Sequence, residues 1–448
     1  MKRGRTRMGS GSIKAGYFFP VLLSFLLLGF AINMRAQSGK SAAPPMAKPE
    51  EVGFSSQRLQ RIHEAMQKHI DAGDIAGVTT LVARNGKVVY FDPQGWANLE
   101  TKKPMQKDNV FNIASATKPI TATAILMMVE EGKVHLGDPV SKYLPGFKDE
   151  KVRMLRPGAT LESSMALNAT SDPVISPELT KAEHDITIRD LLTHTSGLMS
   201  LGVPNAAAPN PDELLKSTLE AMIPRFAVAL DFQPGTKWAY SNWAGFDILA
   251  RIVEITSGKP FDQFLKERIF EPLGMTDTGF NPFSDYRAPR LAVRYNPTPA
   301  GLKKSDPPTP WSAAEKYYSG AAGLSGTTED YWRFMQMLAN GGEFNGKRLL
   351  SPETVELMRS NHVGDLFPGS QGFPKAGTGF GFGVQVVTDH IAGDSLLPNG
   401  TFGWVGASGC EGLASPKENI VLVFMVGGGN NGVAREEFHT TAMQAFLQ

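Results

Sequence analysis

Apolar residues recur along this chain at two spacings, which separate the predicted helices from the predicted strands. Residues 56–72 carry apolar side chains on one helical face and the pattern stops at Gly73, so an amphipathic helix is predicted there. Short apolar runs at 78–83 and 87–91 flank Asn85-Gly86, a pair that accepts positive φ and closes antiparallel hairpins. The sheet is therefore predicted to begin as a hairpin rather than as a βαβ unit.

The middle of the chain, about 132–325, has mainly helical patterns that are separated by loops rich in proline and glycine. Thr187 and Asp190 have the spacing of a capping box, which marks the start of one of these helices. The helices predicted from such patterns and caps run from Thr187 to Gly197, over 243–256 and 327–340, and from residue 351 onward.

Strand patterns return near the end of the chain, at 381–387, 401–406 and 420–426, and a final amphipathic helix follows them. Strands from both chain ends that enclose a helical middle predict an α+β fold. The predicted divisions are a signal peptide at 1–36, a linker at 37–49, an α+β lobe from about 50–132 and 326–448, and a helical lobe from about 133–325.

The first 36 residues are basic and then apolar, with an apolar run over 18–32. A run of about 15 residues is short of the roughly 20 that a membrane-spanning helix needs. The pattern is that of a signal peptide and predicts a periplasmic or secreted protein, with an uncleaved membrane anchor as the alternative.

Composition and charge narrow the class of protein. The chain has 448 residues, of which 42% are hydrophobic. Its net charge of +1 does not indicate the excess of basic residues that is typical of nucleic-acid binding. A small molecule or a polymer surface is the expected partner, and no protein partner is implied.

Cys410 is the only cysteine, so no intramolecular disulfide can form. It is expected to be a buried apolar side chain, and the alternative is a reactive thiol.

Ser115 and Lys118 stand at i, i+3 where an apolar helix is predicted to begin, so both side chains share one face. A serine hydroxyl needs a neighbour to take its proton before it becomes a good nucleophile, and a lysine held beside it can do so. The helix N-terminus adds a positive dipole end. The alternative is a capped helix with an exposed lysine, because chance matches to this spacing are common.

Tyr240 and Asn242 lie in a loop directly before the helix predicted at 243–256. A phenol can relay the proton of Ser115, and the Asn242 amide can bond Lys118 and a substrate. The alternative is a tyrosine packed between the lobes, with Asn242 capping the following helix.

A third element, Gly403-Trp404-Val405-Gly406-Ala407, lies at the predicted strand before 420–426. The backbone N–H groups of Ala407 and Ser115 are expected to form an oxyanion hole there. Trp404 alone would be equally compatible with an ordinary core or surface aromatic residue.

These three elements, in this order and around a helical middle, resemble the serine β-lactamase and penicillin-binding protein superfamily. The chain is most similar to its class C β-lactamase-like branch and to the esterases called family VIII carboxylesterases. The matching stretches are 111–132, 186–198, 234–274 and 323–342. The resemblance implies an antiparallel sheet flanked by helices, with an inserted helical lobe.

It further implies that Ser115 is acylated, that Lys118 and Tyr240 share proton transfer, that Asn242 positions the substrate, and that Ala407 completes the oxyanion hole. One departure affects the substrate. Lactamases and peptidases of this superfamily usually have Lys or His where this chain has Trp404, two residues before Gly406. That basic group recognises a carboxylate, so its loss favours small esters over penicillins and peptides.

The remaining candidates are weaker. Lys375-Ala376-Gly377 and His362-Val363-Gly364 fit the basic motif but come too early in the chain. His194 suggests a serine–histidine pair, yet a buried histidine bonded to loop backbone is expected. No metal or cofactor motif is present. The leading hypothesis is an exported serine esterase. The alternatives are a β-lactamase or D-Ala-D-Ala peptidase activity and a non-catalytic envelope binding protein.

Overall fold

The computed structural model describes residues 1, 44–155, 175–198, 211–305, 310–367 and 376–447, so the predicted signal peptide lies outside the described residues. Its α-helices are α1 Ser56–Asp71, α2 Lys118–Glu130, α3 Ile188–Leu192, α4 Pro211–Lys216, α5 Leu219–Met222, α6 Ala244–Ser257, α7 Phe261–Leu265, α8 Glu271–Leu273, α9 Pro310–Ala313, α10 Thr328–Ala339, α11 Pro352–Met358 and α12 Gly432–Gln444.

The strands are β1 Gly77–Arg84, β2 Lys87–Asn98, β3 Lys103–Pro104, β4 Val110–Asn112, β5 Lys151–Leu155, β6 Ile175–Lys181, β7 Tyr295–Thr298, β8 Gly301–Lys304, β9 Ser325–Thr327, β10 Glu343–Phe344, β11 Lys347–Arg348, β12 Thr378–Phe380, β13 Gln385–Val387, β14 Phe402–Val405, β15 Glu411–Ser415 and β16 Ile420–Val426.

The main sheet joins the two ends of the chain. Its described strands are antiparallel and lie in the order β12-β13-β14-β15-β16-β1-β2-β3. The central pair, β1 and β16, runs from Val78 opposite Val426 to Arg84 opposite Ile420. Every residue of β16 is buried, as its continuous apolar run requires. The predicted α+β class with an antiparallel sheet flanked by helices is confirmed.

Helices cover both faces of this sheet. On one face α1 and α12 pack on each other and on the sheet, where Ile62, Met66 and Phe438 are fully buried. On the other face α10 packs against β15 and β16. Helix α2 is buried from Lys118 to Met128 and packs along α6, so it connects the sheet to the helical lobe. Among the described residues, no helix has the length and apolarity needed to cross a membrane.

Most local predictions are confirmed. The hairpin of β1 and β2 turns at Asn85 and Gly86, whose φ angles are 53° and 73°. The Thr187 and Asp190 side chains form the predicted capping box, and Thr327 caps α10 through the amide of Asp330. These starts were predictable because each depends on residues at most three positions apart.

Some predicted bounds are wrong. Helix α3 ends at Leu192 instead of Gly197, because His194 adopts a left-handed φ of 58° and breaks the helix. The strand predicted at 381–387 is a hairpin, since Gly383 has a φ of 71° and the Gly381 amide bonds the Val384 carbonyl. The middle region also contains two antiparallel strand pairs, β5 with β6 and β7 with β8, which the helical patterns did not indicate.

The buried carboxyl of Glu150 predicts a pH-dependent stability. Burial raises the pKa of Glu150 to about 7, and its Oε2 accepts the amide of Ile186 at 3.0 Å. Because the folded state binds this proton more tightly than the unfolded state, stability falls as pH rises from about 4.5 to about 7. Because the glutamine side chain of Glu150→Gln does not titrate, we expect the free energy of unfolding of the wild type to fall by up to about 3 kcal/mol relative to this variant over that range.

Urea unfolding at pH 5 and pH 7.5 measures the difference, with Glu353→Gln at an exposed site as the control. A difference that is constant with pH contradicts the assignment.

Candidate active site

The sequence places Ser115 on a short turn between a strand and a long buried helix. The turn is a 3-10 helix, Ala114–Thr117, that leads directly from β4 into α2. Ala114 has a φ of 46°, a left-handed conformation that costs an alanine about 1–2 kcal/mol. The Ser115 side chain is half-buried. The turn is thus held in a strained conformation that exposes one hydroxyl.

Neighbouring elements hold this turn from several sides. The Tyr331 hydroxyl donates to the Ala116 carbonyl at 2.9 Å, and the Leu324 amide donates to Thr117 Oγ1 at 3.2 Å. The Ser408 hydroxyl donates to the Asn112 carbonyl at 2.8 Å. These contacts come from both the helical side and the sheet side, so they stabilise the strained conformation.

Lys118 is fully buried and its ammonium nitrogen has three oxygen neighbours. Nζ lies 3.2 Å from Ser115 Oγ, 2.7 Å from the Asn242 carbonyl and 3.1 Å from the Ala321 carbonyl. A neutral amine has two N–H donors and one lone pair. As an ammonium, Lys118 donates one N–H to each of these three oxygens. An amine with two N–H groups on the two carbonyls would instead turn its lone pair toward Ser115 Oγ.

Tyr240 lies between Lys118 and a group of buried aromatic side chains. Its ring centroid is 4.9 Å from Lys118 Nζ, and its hydroxyl accepts the indole N–H of Trp404 at 3.1 Å. The aromatic members of that group are Trp238, Phe367, Phe380 and Trp404, and the partly buried Tyr240 packs against them. Trp404 is only 2% exposed, so the position at which the superfamily resemblance implies a basic residue holds a neutral, desolvated ring.

The end of β14 lies against the turn that carries Ser115. A Cβ at Gly406 would come within 2.1 Å of the Ile113 carbonyl, so only glycine permits this approach. Ala407 follows directly and is exposed. The amide of Ser115 belongs to the first turn of a helix, where N–H groups lack intrahelical acceptors. An oxyanion hole formed by these two amides stays a prediction that suits this arrangement.

Asn242 contacts Lys118 differently from the prediction. The contact is made by its main-chain carbonyl, whereas its side chain is exposed. Asn242 does not cap α6 either, since the N-cap is Trp243 and the Ser241 hydroxyl accepts the Gly245 amide at 3.2 Å. That the Asn242 amide positions the substrate stays a prediction.

His194 is a buried structural residue, as predicted. It is 1% exposed, and its Nδ1 accepts the Ser241 amide at 3.2 Å, which places the ring proton on Nε2. Burial lowers the pKa of His194 well below its usual range, and the charge of Lys118 lowers it further. A neutral ring with its acceptor nitrogen occupied positions the segment after Tyr240 and is not arranged as a general base.

Of the other candidates, His362 and Cys410 lie within the described residues. His362 stacks on Phe382 with 4.0 Å between ring centroids and bonds the Leu357 carbonyl, while Lys375 lies outside the described residues. Cys410 is fully buried, which confirms the expected apolar role, and burial raises the pKa of its thiol. In the part of the chain that the structure describes, no three His, Cys, Asp or Glu side chains are grouped to hold a metal ion.

Sequence reasoning missed one residue of this region. Asp247 of α6 is fully buried and accepts hydrogen bonds from Tyr317, Ser319 and the Ala321 amide. The pKa of Asp247 is raised, because burial has a larger effect than these donors and the charge of Lys118, which lower it. A single carboxylate within the apolar run from Phe246 to Ala250 was the signal that could have identified it.

Ser115 and the buried Lys118 lie between an antiparallel sheet and a helical lobe. This fold and site geometry place the protein in the class of serine hydrolases. The family can be stated as well. The family described as Beta-lactamase matches residues 61–444, and the chain belongs to this family.

Three known proteins illustrate the relationship. Esterase EstB of Burkholderia gladioli is 30% identical over 361 residues, which cover 75% of this chain and 81% of that protein. A putative D-alanyl-D-alanine carboxypeptidase of Escherichia coli (strain K12) is 27% identical over 426 residues, 88% of each chain. The solved structure of EstCE1, a hydrolase with promiscuous acyltransferase activity, is 28% identical with a TM-score of 0.69, and the match covers 88% of this chain and 99% of that chain.

Proposed function

We propose that this protein is a serine esterase that hydrolyses small carboxylic esters through an acyl-Ser115 intermediate. The observation that supports it most is Trp404, which is 2% exposed and bonded to Tyr240 where carboxylate-recognising members of the superfamily have a cation. An apolar ring there does not bind a substrate carboxylate, and it makes entry of a charged group costly. The similarity to esterase EstB supports the same substrate class.

The proposed chemistry follows from the contacts of Lys118. Its lone pair takes the Ser115 proton as Oγ attacks the ester carbonyl, and the new oxyanion is bound by the amides of Ser115 and Ala407. The C–O bond to the alcohol then breaks, and the proton passes to that alcohol through Lys118 and Tyr240. Water then attacks the acyl-enzyme with the same proton transfers, and the acid and free Ser115 are released.

A second candidate is turnover of β-lactams or of D-alanyl-D-alanine peptides. The similarity to a putative carboxypeptidase and the exposed Asn242 side chain favour it, because an amide can bond a substrate carbonyl. It uses the same acyl-Ser115 step with a different leaving group. The two candidates therefore differ only in what the pocket recognises.

A substrate comparison tests the proposal. We expect p-nitrophenyl butyrate to be hydrolysed with a kcat/KM at least about 100-fold above that for nitrocefin or a D-alanyl-D-alanine peptide, because only the last two carry a carboxylate that needs a cation. Labelling by a fluorophosphonate probe, located by mass spectrometry, should fall on Ser115. Faster turnover of nitrocefin or of the peptide would favour the second candidate, and an unlabelled protein would favour a non-catalytic binding role.

We also propose that the protein is exported to the periplasm or beyond it. The support is the basic and then apolar pattern of residues 1–36, which is typical of a signal peptide. Mass spectrometry of the protein recovered from its native host tests this. A mature N-terminus near residue 37 is expected, and an intact N-terminus in the membrane fraction would indicate an anchor instead.

A further inference from the structure

Asp247 is a buried carboxylate that the proposed chemistry does not use. It lies within α6, is fully buried, and is held by three donors: the Tyr317 hydroxyl at 2.6 Å, the Ser319 hydroxyl at 2.7 Å and the Ala321 amide at 3.0 Å. These three groups stabilise the buried carboxyl, because a buried polar group is costly only when it lacks hydrogen-bond partners. Burial nevertheless has the larger effect and raises the pKa of Asp247.

Its contacts reach Lys118 through one residue. The Ala321 amide donates to Asp247 Oδ1, and the carbonyl of the same residue accepts Lys118 Nζ at 3.1 Å. The Ser319 hydroxyl accepts the amides of Ala321 and Ala322 at 3.3 and 3.2 Å, so it fixes the same turn. Asp247 therefore determines where the Ala321 carbonyl points.

This segment also lies directly on α6. A Cβ at Gly320 would come within 2.7 Å of the Phe246 carbonyl, and the Gly320 carbonyl accepts Thr121 Oγ1 at 2.7 Å. The segment is thereby joined to α2, the helix that carries Lys118, and to α6, the helix that carries Asp247. Little movement is available to the Ala321 carbonyl while these contacts persist.

We propose that Asp247 is a positioning residue for Lys118, which it orients through Ala321 toward Ser115 Oγ. The proposal rests on the proposed function, because it assigns Lys118 as the group that takes the serine proton. Two carbonyls are needed to accept both N–H groups of the amine. One of these carbonyls is that of Ala321, whose amide is bonded to Asp247.

Asp247→Asn tests this with little change in volume. We expect kcat on p-nitrophenyl butyrate and the rate of fluorophosphonate labelling of Ser115 each to fall about 30- to 100-fold, because small misplacements of a reacting group cost about that much. KM should stay within about threefold, since Lys118 acts in bond making rather than in substrate binding. Tyr317→Phe and Ser319→Ala each remove one donor and should give smaller losses.

Asp330→Asn is the matched control. Asp330 is a buried carboxylate of α10 that accepts the Asp277 amide and the Thr278 hydroxyl, whereas Lys118 bonds Ser115, Asn242 and Ala321. Equal kcat and labelling rates in Asp247→Asn and wild type would overturn the proposal. If Asp247→Asn and Asp330→Asn lose the same factor in kcat and labelling rate, with similar drops in melting temperature, Asp247 has a structural role. That result would also overturn the proposal.

Two further outcomes separate this inference from the proposed function. If the wild type is labelled at Ser115 but hydrolyses no ester, the substrate class is wrong and the labelling rates alone decide the role of Asp247. If the wild type is not labelled, both proposals fail. Should Asp247→Asn not fold, the double variant Tyr317→Phe/Ser319→Ala replaces it, and an unchanged labelling rate in that variant overturns the proposal.

Discussion

Ser115→Ala is expected to lower kcat on p-nitrophenyl esters by a factor on the order of 10³ or more and to abolish covalent labelling. The substitution removes the oxygen that forms the acyl bond, and the amides around the turn cannot replace a nucleophile. Stability should change little, because the hydroxyl is half-buried and Lys118 keeps its two carbonyl acceptors.

Steady-state kinetics and intact-mass measurements after probe treatment check this prediction. Ser284→Ala is a suitable control, since Ser284 is exposed and bonds only the nearby Asn281 carbonyl among the described residues. Activity of Ser115→Ala within tenfold of the wild type would show that another residue is acylated.

Lys118→Met is expected to reduce activity by a comparable factor for a different reason. The methionine side chain is similar in length but has no amine, so Ser115 loses its proton acceptor. The carbonyls of Asn242 and Ala321 also lose their donor, at a cost of about 1–3 kcal/mol each. Unlike Ser115→Ala, this variant should therefore melt at a lower temperature than the wild type.

The measurement is kcat together with a thermal melt. Lys133→Met is the control, because Lys133 follows the same helix, is exposed, and pairs only with Glu131 at 2.8 Å within the described residues. A Lys118→Met protein with wild-type kcat would remove lysine from the mechanism and leave Tyr240 as the base.

The sequence predicted those parts of the fold that depend on neighbouring residues. The Asn85-Gly86 turn and the Thr187 and Thr327 caps each involve residues within three positions, and the apolar run of β16 identifies a buried strand by itself. The juxtaposition of Ser115, Lys118 and Tyr240 was predictable for another reason. Two of them share a helical turn, and the third was placed by resemblance to a known family.

Features that depend on distant residues were not predictable in this way. The carbonyls that hold Lys118 belong to residues 124 and 203 positions away. Their role needs only a main-chain oxygen, which every residue has, so side-chain identity gives no signal. The left-handed φ of Ala114 and His194 is likewise imposed by tertiary packing, because neither residue type favours it as glycine does.

The pairing of β1 with β16 has a consequence for biosynthesis. These two central strands lie about 340 residues apart, with Val78 opposite Val426, so the sheet cannot close before residue 426 has left the ribosome. Until then the nascent chain lacks its central strand pair. A polypeptide in that condition can still be threaded through a secretion channel, and the order of folding is thus compatible with export before the native state forms.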